Sequence, residues 1–102
     1  MEAKTDSVTL EKNDVVTKLP SLYNVIFYND DTTPVGYVVE LLVNVFQVER
    51  KEAIGLTMRI DQEGSGVAGT YIKCIADAKA TIVRECNMKS HYPLKVTVEP
   101  AD

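Results

Sequence analysis

The sequence predicts a small α+β domain in which three helices pack on a three-stranded antiparallel sheet. Three segments repeat apolar residues with the spacing of amphipathic helices, and three others are rich in β-branched residues or alternate apolar with polar residues. These segments follow one another as strand, helix, helix, strand, helix, strand. With 102 residues, 45% apolar and 25% charged, the chain has the length and composition of one globular domain.

The six elements can be placed along the chain from these patterns. The predicted strands cover residues 22–28, 67–71 and 94–98. The predicted helices cover residues 35–46, 49–62 and 72–88. On the third helix, four residues recur at intervals of three and four and lie on one face: Ile75, Ala78, Ile82 and Cys86.

Residues 1–20 differ from the rest of the chain because they are polar, mixed in charge and without periodicity. We expect them to form a flexible N-terminal extension that precedes a core domain of residues 21–102. Such an extension is either passive or contacts a partner, and the residues leave both interpretations open.

The turn at residues 28–34, Tyr-Asn-Asp-Asp-Thr-Thr-Pro, joins the first strand to the first helix. Asn and Asp suit this junction because their short side chains hydrogen-bond the nearby backbone. We predict Thr33 as the helix N-cap and Pro34 as the first helical residue, where its missing N–H is not needed. The residues alone indicate either a plain turn or a polar clamp at the mouth of an apolar pocket.

No arrangement of residues predicts catalysis. A nucleophile needs a base within hydrogen-bonding reach, and the one histidine, His91, is expected at the surface. Cys74 and Cys86 are expected to be inert thiols, since twelve residues of helix would separate them by about 18 Å, too far for a disulfide. One histidine and two distant cysteines match no zinc spacing. We therefore expect no enzyme activity, no metal and no cofactor.

Residues 63–69 are rich in glycine, which is typical of phosphate-binding loops. They follow a predicted helix and precede a strand, however, which is the reverse of the phosphate-loop order, and no Gly-Lys-Ser/Thr is present. We predict a hairpin-like turn there instead.

Charge and hydropathy restrict the partners. A formal net charge of −4 argues against nucleic acid or an anionic membrane as the main partner, because both require a basic surface. No segment is long and apolar enough to span a membrane, and the N-terminus lacks a signal pattern. Two free thiols fit a reducing compartment. We expect a monomeric, cytoplasmic protein.

Residues 20–26, Pro-Ser-Leu-Tyr-Asn-Val-Ile, and residues 29–34, Asn-Asp-Asp-Thr-Thr-Pro, resemble the signature of ClpS, the adaptor family that delivers N-degron substrates to Clp AAA+ proteases. The resemblance continues through the glycines of residues 64–69, a long helix, and residues 91–94, His-Tyr-Pro-Leu. It covers residues 20–99.

This resemblance implies a non-catalytic adaptor that binds proteins with N-terminal Leu, Phe, Tyr or Trp and hands them to a Clp unfoldase of the ClpA or ClpC type. Asn29 and Asp30 match the family positions that contact the substrate's α-amino group, and Asp61 matches a third. The side-chain pocket is then expected from Asp31, Thr33, Pro34, Val35, Val38, Thr57, Ile60 and Leu94. On the third helix, Lys79 and Cys74 match positions implicated in docking the unfoldase.

The chain departs from the family pattern at positions that bear on specificity. Asp61 stands where the family usually has a histidine, Val35 where many members have methionine, and Thr57 where an apolar residue is common. A smaller residue at position 35 leaves more room, so we expect a pocket that also accepts β-branched first residues. Cys74 stands at a position that is acidic in some members.

Two interpretations follow from the resemblance. In the first, Asp61 takes over the role of the histidine and the chain is an N-degron adaptor. In the second, amine recognition has been lost at Asp61, and the chain is an interaction or regulatory module of the Clp machinery.

Overall fold

A computed structural model describes residues 19–102, so the predicted extension lies outside the described residues except for its last two. The elements are β1 (Leu22–Tyr28), α1 (Val35–Asn44), α2 (Arg50–Glu63), β2 (Ser65–Ile72), α3 (Lys73–Ser90) and β3 (Lys95–Pro100). The predicted class and element order are confirmed. Within the described part of the chain, no helix has the length and apolar content to cross a bilayer.

β1 is the central strand of the sheet and pairs antiparallel with both β2 and β3, in the order β2-β1-β3. Phe27 lies opposite Gly66 on one side and Val96 on the other. The register with β2 shifts between Val25 and Ile26. The expected three-stranded antiparallel sheet is therefore confirmed, with its most apolar strand in the middle.

The core lies between the sheet and the helices. Val25 and Phe27 point inward from β1 and are fully buried, as are Leu42 of α1 and Val83 of α3. The rings of Phe27 and Phe46 meet edge to face, with centroids 5.5 Å apart. Complete burial of each such side chain stabilises the fold by about 1.5–3 kcal/mol, so β1 and the helices are held together by a continuous apolar contact.

The start of α1 differs from the prediction. Pro34, in an extended conformation, is the N-cap, and its carbonyl oxygen accepts from the backbone N–H groups of Tyr37 and Val38 at 3.1 and 3.3 Å. Thr33 is not the cap, because its hydroxyl donates to the carboxylate of Asp30 instead. An acidic side chain within reach competes successfully for a hydroxyl donor that would otherwise serve the helix.

The end of α1 also differs, since the helix stops at Asn44 rather than residue 46. The backbone of Gln47 has a left-handed conformation with φ of 55°. The ammonium of Lys79, on α3, donates to the carbonyl oxygen of Val45 at 2.6 Å. The Lys79 ammonium on α3 thus provides a hydrogen-bond donor for a carbonyl group that the end of α1 leaves unpaired.

Of the four residues predicted to share one face of α3, only Cys86 packs against the core. Ile75 and Ile82 are 43% and 46% exposed, and the residues that face the core are Ala76, Ala80, Val83 and Asn87. Ala76, Ala80 and Val83 are fully buried. Small side chains on this face let α3 lie close against all three strands, so the larger isoleucines are turned outward.

The hairpin-like turn predicted at residues 63–69 is wrong. Gly64 alone ends α2, with a left-handed φ of 95°, and β2 begins at Ser65. Gly66 is needed for close packing, because a Cβ there would lie 2.7 Å from Cγ1 of Ile60. At Gly69 a Cβ would overlap the Tyr71 hydroxyl. These glycines therefore serve a strand that packs tightly on α2 and on an aromatic ring, rather than a turn.

Candidate functional site

A cavity of about 190 Å³ opens between the β1–α1 turn, α2 and the segment that precedes β3. Its lining combines polar groups from the turn with apolar groups from α1 and α2. The lining residues are Tyr28, Asn29, Asp30, Asp31, Thr33, Val35, Val38, Thr57, Ile60, Asp61 and Leu94.

The structure brings together all but one of the residues expected to contact a substrate. Pro34, which was expected in the pocket, caps α1 and does not line the cavity. Tyr28 does line it and was not expected. Its hydroxyl donates to Oε2 of Glu99 at 3.2 Å and accepts from Oγ1 of Thr97 at 3.3 Å. The signal for Tyr28 in the sequence was its position as the last residue of the strand before the polar turn.

The inner part of the cavity is apolar. Val38, Ile60 and Leu94 are largely buried, and they line the cavity with hydrocarbon. Thr57 is buried beside them, and its hydroxyl donates to the carbonyl oxygen of Ala53 at 2.7 Å. Because this bond satisfies the hydroxyl donor within α2, Thr57 does not demand a polar partner from a ligand. These four residues form the floor of the cavity, and such a surface suits an apolar side chain of a ligand.

The mouth of the cavity is more polar than its inner part. Val35, on the first turn of α1, is 60% exposed at the rim. Asn29, Asp31 and Asp61 are also exposed there. Together they surround an apolar interior with carboxylate and amide oxygens.

Asp30 organises the turn at the mouth of the cavity. Its Oδ1 accepts the backbone N–H groups of Thr32 and Thr33, both at 2.8 Å, and its Oδ2 accepts the Thr33 hydroxyl at 2.6 Å. A carboxylate has about four acceptor positions. Three are occupied, so one remains for a donor from a ligand.

These bonds also keep Asp30 ionised. Partial burial raises the pKa of its carboxyl group, but the bonds from the Thr33 hydroxyl and from the N–H groups of Thr33 and Thr32 outweigh burial. The pKa lies below its ordinary value as a result. Asp30 is therefore a negative charge at neutral pH, half-buried beside an apolar cavity.

Asn29 and Asp61 come from different elements that line the cavity, and a backbone hydrogen bond links these elements. The N–H of Asn29 donates to the carbonyl oxygen of Gly64 at 2.9 Å, which links the turn to the end of α2. Asp61 lies on the last turn of the same helix. A ligand cation placed here would lie between an amide oxygen and two carboxylates.

The residues predicted for docking lie on α3, and neither lines the cavity. Cys74 is exposed. The Lys79 ammonium is engaged within the protein, by the carbonyl oxygen of Val45 and by Oε1 of Gln47 at 3.3 Å. It also lies 5.2 Å from the ring centroid of Tyr71. Its docking role stays a prediction, and the structure adds a packing role.

Other chemistry-bearing residues have structural positions. His91 ends α3 in a left-handed conformation, with φ of 62°, and is exposed. Cys86 is half-buried and free. Among residues 19–102, no three His, Cys, Asp or Glu side chains are grouped so that they could hold a metal ion.

Comparison with protein families gives one match over most of the chain. Residues 18–97 match the family described as "ATP-dependent Clp protease adaptor protein ClpS". The ClpS adapter protein of Nautilia profundicola is 37% identical over 91 residues, which are 89% of this chain and 94% of the relative. That of Vibrio atlanticus is 34% identical over 97 residues, covering 95% of this chain and 92% of the relative.

The fold is also similar to a solved structure, Agrobacterium tumefaciens ClpS2 bound to L-phenylalaninamide. The TM-score is 0.76 at 32% sequence identity, with 80% of this chain and 99% of the other covered. That ligand carries a free α-amino group and a phenylalanine side chain.

Proposed function

Because the chain belongs to the ClpS family of ATP-dependent Clp protease adaptor proteins, we propose that its cavity binds the N-terminal residue of substrate proteins and that the chain delivers them to a Clp AAA+ unfoldase. The bound residue enters with its side chain toward the apolar floor and its α-ammonium at the polar rim. The chain itself carries out no chemical step.

The observation that carries this proposal is the half-buried carboxylate of Asp30 at the mouth of an apolar cavity. An α-ammonium has three N–H donors and a positive charge, so it needs acceptors and a counter-charge. Oδ2 of Asp30 has one acceptor position left, and Asn29 and Asp61 supply further oxygens on the rim. Charge-assisted bonds of this kind are stronger than neutral ones.

The floor supports specificity for large apolar first residues. A substrate side chain that enters displaces water from Val38, Ile60 and Leu94, and burial of apolar area stabilises the complex by about 25 cal/mol per Å². We propose Leu, Phe, Tyr and Trp as first residues. The small, exposed Val35 at the rim supports acceptance of Ile and Val as well.

Delivery requires a second surface, which we place on α3. Ile75, Ala78 and Ile82 recur at helical spacing and are exposed, with Cys74 beside them. Exposed apolar side chains that share a helix face are typical of a protein-binding surface. Lys79 would contribute there mainly by holding α3 against the end of α1. We place the adaptor in the cytoplasm, as a monomer.

Fluorescence anisotropy with a C-terminally labelled peptide tests amine recognition. The peptide begins with Phe and has either a free or an acetylated N-terminus. We expect acetylation to weaken binding by more than about thirtyfold, since it removes the charge that a half-buried carboxylate pairs with. Asp30→Ala should weaken binding of the free peptide similarly, whereas Glu85→Ala, on the exposed face of α3, should not.

The same measurement distinguishes the adaptor from the alternative, an interaction or regulatory module. Equal binding of the two peptides, or no binding of either, would favour an interaction or regulatory module that has lost amine recognition. Binding of the free peptide alone supports the adaptor.

A further inference from the structure

A buried polar side chain lies behind the wall of the cavity. Asn87, on the core-facing side of α3, is 7% exposed and does not line the cavity. A buried amide destabilises a fold unless its hydrogen-bonding groups are satisfied. The hydrogen-bond partners of Asn87 therefore show which segments of the chain its side chain holds in place.

Both ends of the Asn87 amide are bonded, each to a different part of the chain. Its Oδ1 accepts from the hydroxyl of Tyr37, on α1, at 2.7 Å. Its Nδ2 donates to the carbonyl oxygen of Leu94, just before β3, at 2.8 Å. The backbone oxygen of Asn87 accepts from the N–H of Tyr92 at 3.0 Å, and the rings of Tyr37 and Tyr92 meet edge to face at 4.7 Å.

These bonds connect two walls of the cavity. Leu94 lines the cavity itself, and Tyr37 is followed on α1 by Val38, which lines it as well. An apolar residue at position 87 could fill the same volume but could not hold a carbonyl oxygen and a hydroxyl at fixed distances. Hydrogen bonds are directional, so the amide sets the position of the segment at residues 92–94 relative to α1.

We propose that Asn87 is a positioning residue for substrate recognition: through Leu94 and Tyr37 it sets the separation of the cavity walls and so the discrimination among first residues. It does not contact the substrate. The proposal rests on the proposed function, because it concerns the same cavity. The amine-binding groups come from the β1–α1 turn and the end of α2, which Asn87 does not touch through its side chain.

The test separates side-chain recognition from amine recognition. Three labelled peptides begin with Phe, with Ala, and with N-acetylated Phe, and their dissociation constants are measured for the wild type and for Asn87→Leu. We expect Asn87→Leu to reduce the preference for Phe over Ala by about tenfold, since small misplacement of a binding wall is costly. The preference for the free over the acetylated N-terminus should be unchanged.

Val83→Ala is the matched control. Val83 is fully buried on the same helix and outside the cavity, so this variant creates a void and loses stability. Loss of folded protein lowers the binding of every peptide equally, and the ratio between Phe and Ala should stay at the wild-type value. Tyr37→Phe, which removes only the Oδ1 partner, should lower the ratio by less than Asn87→Leu does.

Two results would overturn the proposal: an unchanged Phe-to-Ala ratio in Asn87→Leu, or an equal fall of this ratio in Val83→Ala. If Asn87→Leu does not fold, the Phe-to-Ala ratio of Tyr37→Phe is compared with that of Val83→Ala instead. An unchanged ratio in Tyr37→Phe, or an equal fall in both variants, would then overturn the proposal. Failure of the proposed function has a different signature, because the wild type itself would then show no preference for the free N-terminus.

Discussion

The hydroxyl of Thr33 donates a 2.6 Å hydrogen bond to Oδ2 of Asp30, the carboxylate whose other oxygen accepts two backbone N–H groups of the same turn. One side chain therefore orients the carboxylate that would meet the substrate ammonium. The bond also explains why Thr33 does not cap α1. The proposed recognition of the substrate amine and the local structure of the turn depend on the same atoms.

The first prediction concerns this bond and pH. The pKa of Asp30 is below its unfolded value, so its contribution to stability is present above about pH 4 and is lost as the pH falls through the folded pKa. We expect Thr33→Val to lower the free energy of unfolding by about 1.5 kcal/mol at pH 7, a typical loss for a bond to a charged group. The loss should shrink toward pH 3. Urea denaturation at both pH values measures it.

Thr32→Val is the control for that experiment. Thr32 bonds Asp30 only through its backbone N–H, and its side chain is exposed, so the variant keeps the bond. It should have little effect at either pH. A loss in Thr33→Val that is as large at pH 3 as at pH 7 would show that its hydroxyl does not act through the Asp30 carboxylate.

The second prediction concerns Asp61, which stands where the family usually has a histidine. We expect Asp61→Ala to weaken binding of a peptide with N-terminal Phe by about two- to fivefold at low salt, the effect of one exposed charge pair. Screening should reduce the effect at 0.5 M NaCl. Asp61→His should be tolerated. Titration by anisotropy at two salt concentrations measures these changes.

Glu63→Gln is the matched control for Asp61→Ala. Glu63 is exposed on the same turn of α2 as Asp61, but it does not line the cavity. Glu63→Gln should bind as the wild type does. If Asp61→Ala also binds as the wild type does, Asp61 lies outside the amine-binding shell.

The third prediction concerns the rim. Val35→Met adds bulk at the mouth of the cavity and should reduce affinity for peptides that begin with Ile or Val by about tenfold, with Phe much less affected. A peptide panel that differs only at residue one measures the preference. Val67→Met, at an exposed valine outside the cavity, should leave it unchanged. A wild type that already excludes Ile and Val would contradict the account of Val35.

The fourth prediction connects a strand glycine to the cavity. A Cβ at position 66 would lie 2.7 Å from Cγ1 of Ile60, which lines the cavity, so Gly66→Ala must displace that side chain. We expect a loss of about 1–3 kcal/mol in stability from overpacking and weaker binding of Phe-first peptides. Urea denaturation and anisotropy measure the two effects.

Gly55→Ala provides the comparison. Gly55 lies within α2, and a Cβ there meets nothing within 4 Å. It should stabilise the helix by about 0.5–1 kcal/mol and leave binding unchanged. Unchanged binding in Gly66→Ala as well would mean that Ile60 moves away from the cavity or does not contact the substrate.

Much of the site could be predicted because several of its polar residues are neighbours in sequence. Asn29, Asp30 and Asp31 follow one another, and turn chemistry places them together without knowledge of the fold. Val38, Thr57 and Leu94 come from distant elements, and only the resemblance to a known family grouped them before the structure did. The order of the elements followed from periodicity.

Other features depend on tertiary packing that one sequence does not display. Two sets of residues on α3 satisfy helical spacing: positions 75 and 82, and positions 76, 80 and 83. The second set faces the core, because the helix approaches the sheet closely and leaves room only for its smaller side chains. The bond between Tyr37 and Asn87 joins residues 50 apart, and neither has a neighbour that signals it. The glycines of β2 were interpreted as part of a turn. In the structure they lie within the strand and allow it to pack closely against its neighbours.

The most direct test of the account is a structure of the protein with L-phenylalaninamide bound. We expect the phenyl ring to lie between Val38, Ile60 and Leu94, and the α-amino nitrogen to lie within about 3 Å of Oδ2 of Asp30, with Thr33 still donating to that carboxylate. A ligand bound outside this cavity, or an amino group that contacts neither Asp30 nor Asn29, would contradict the account.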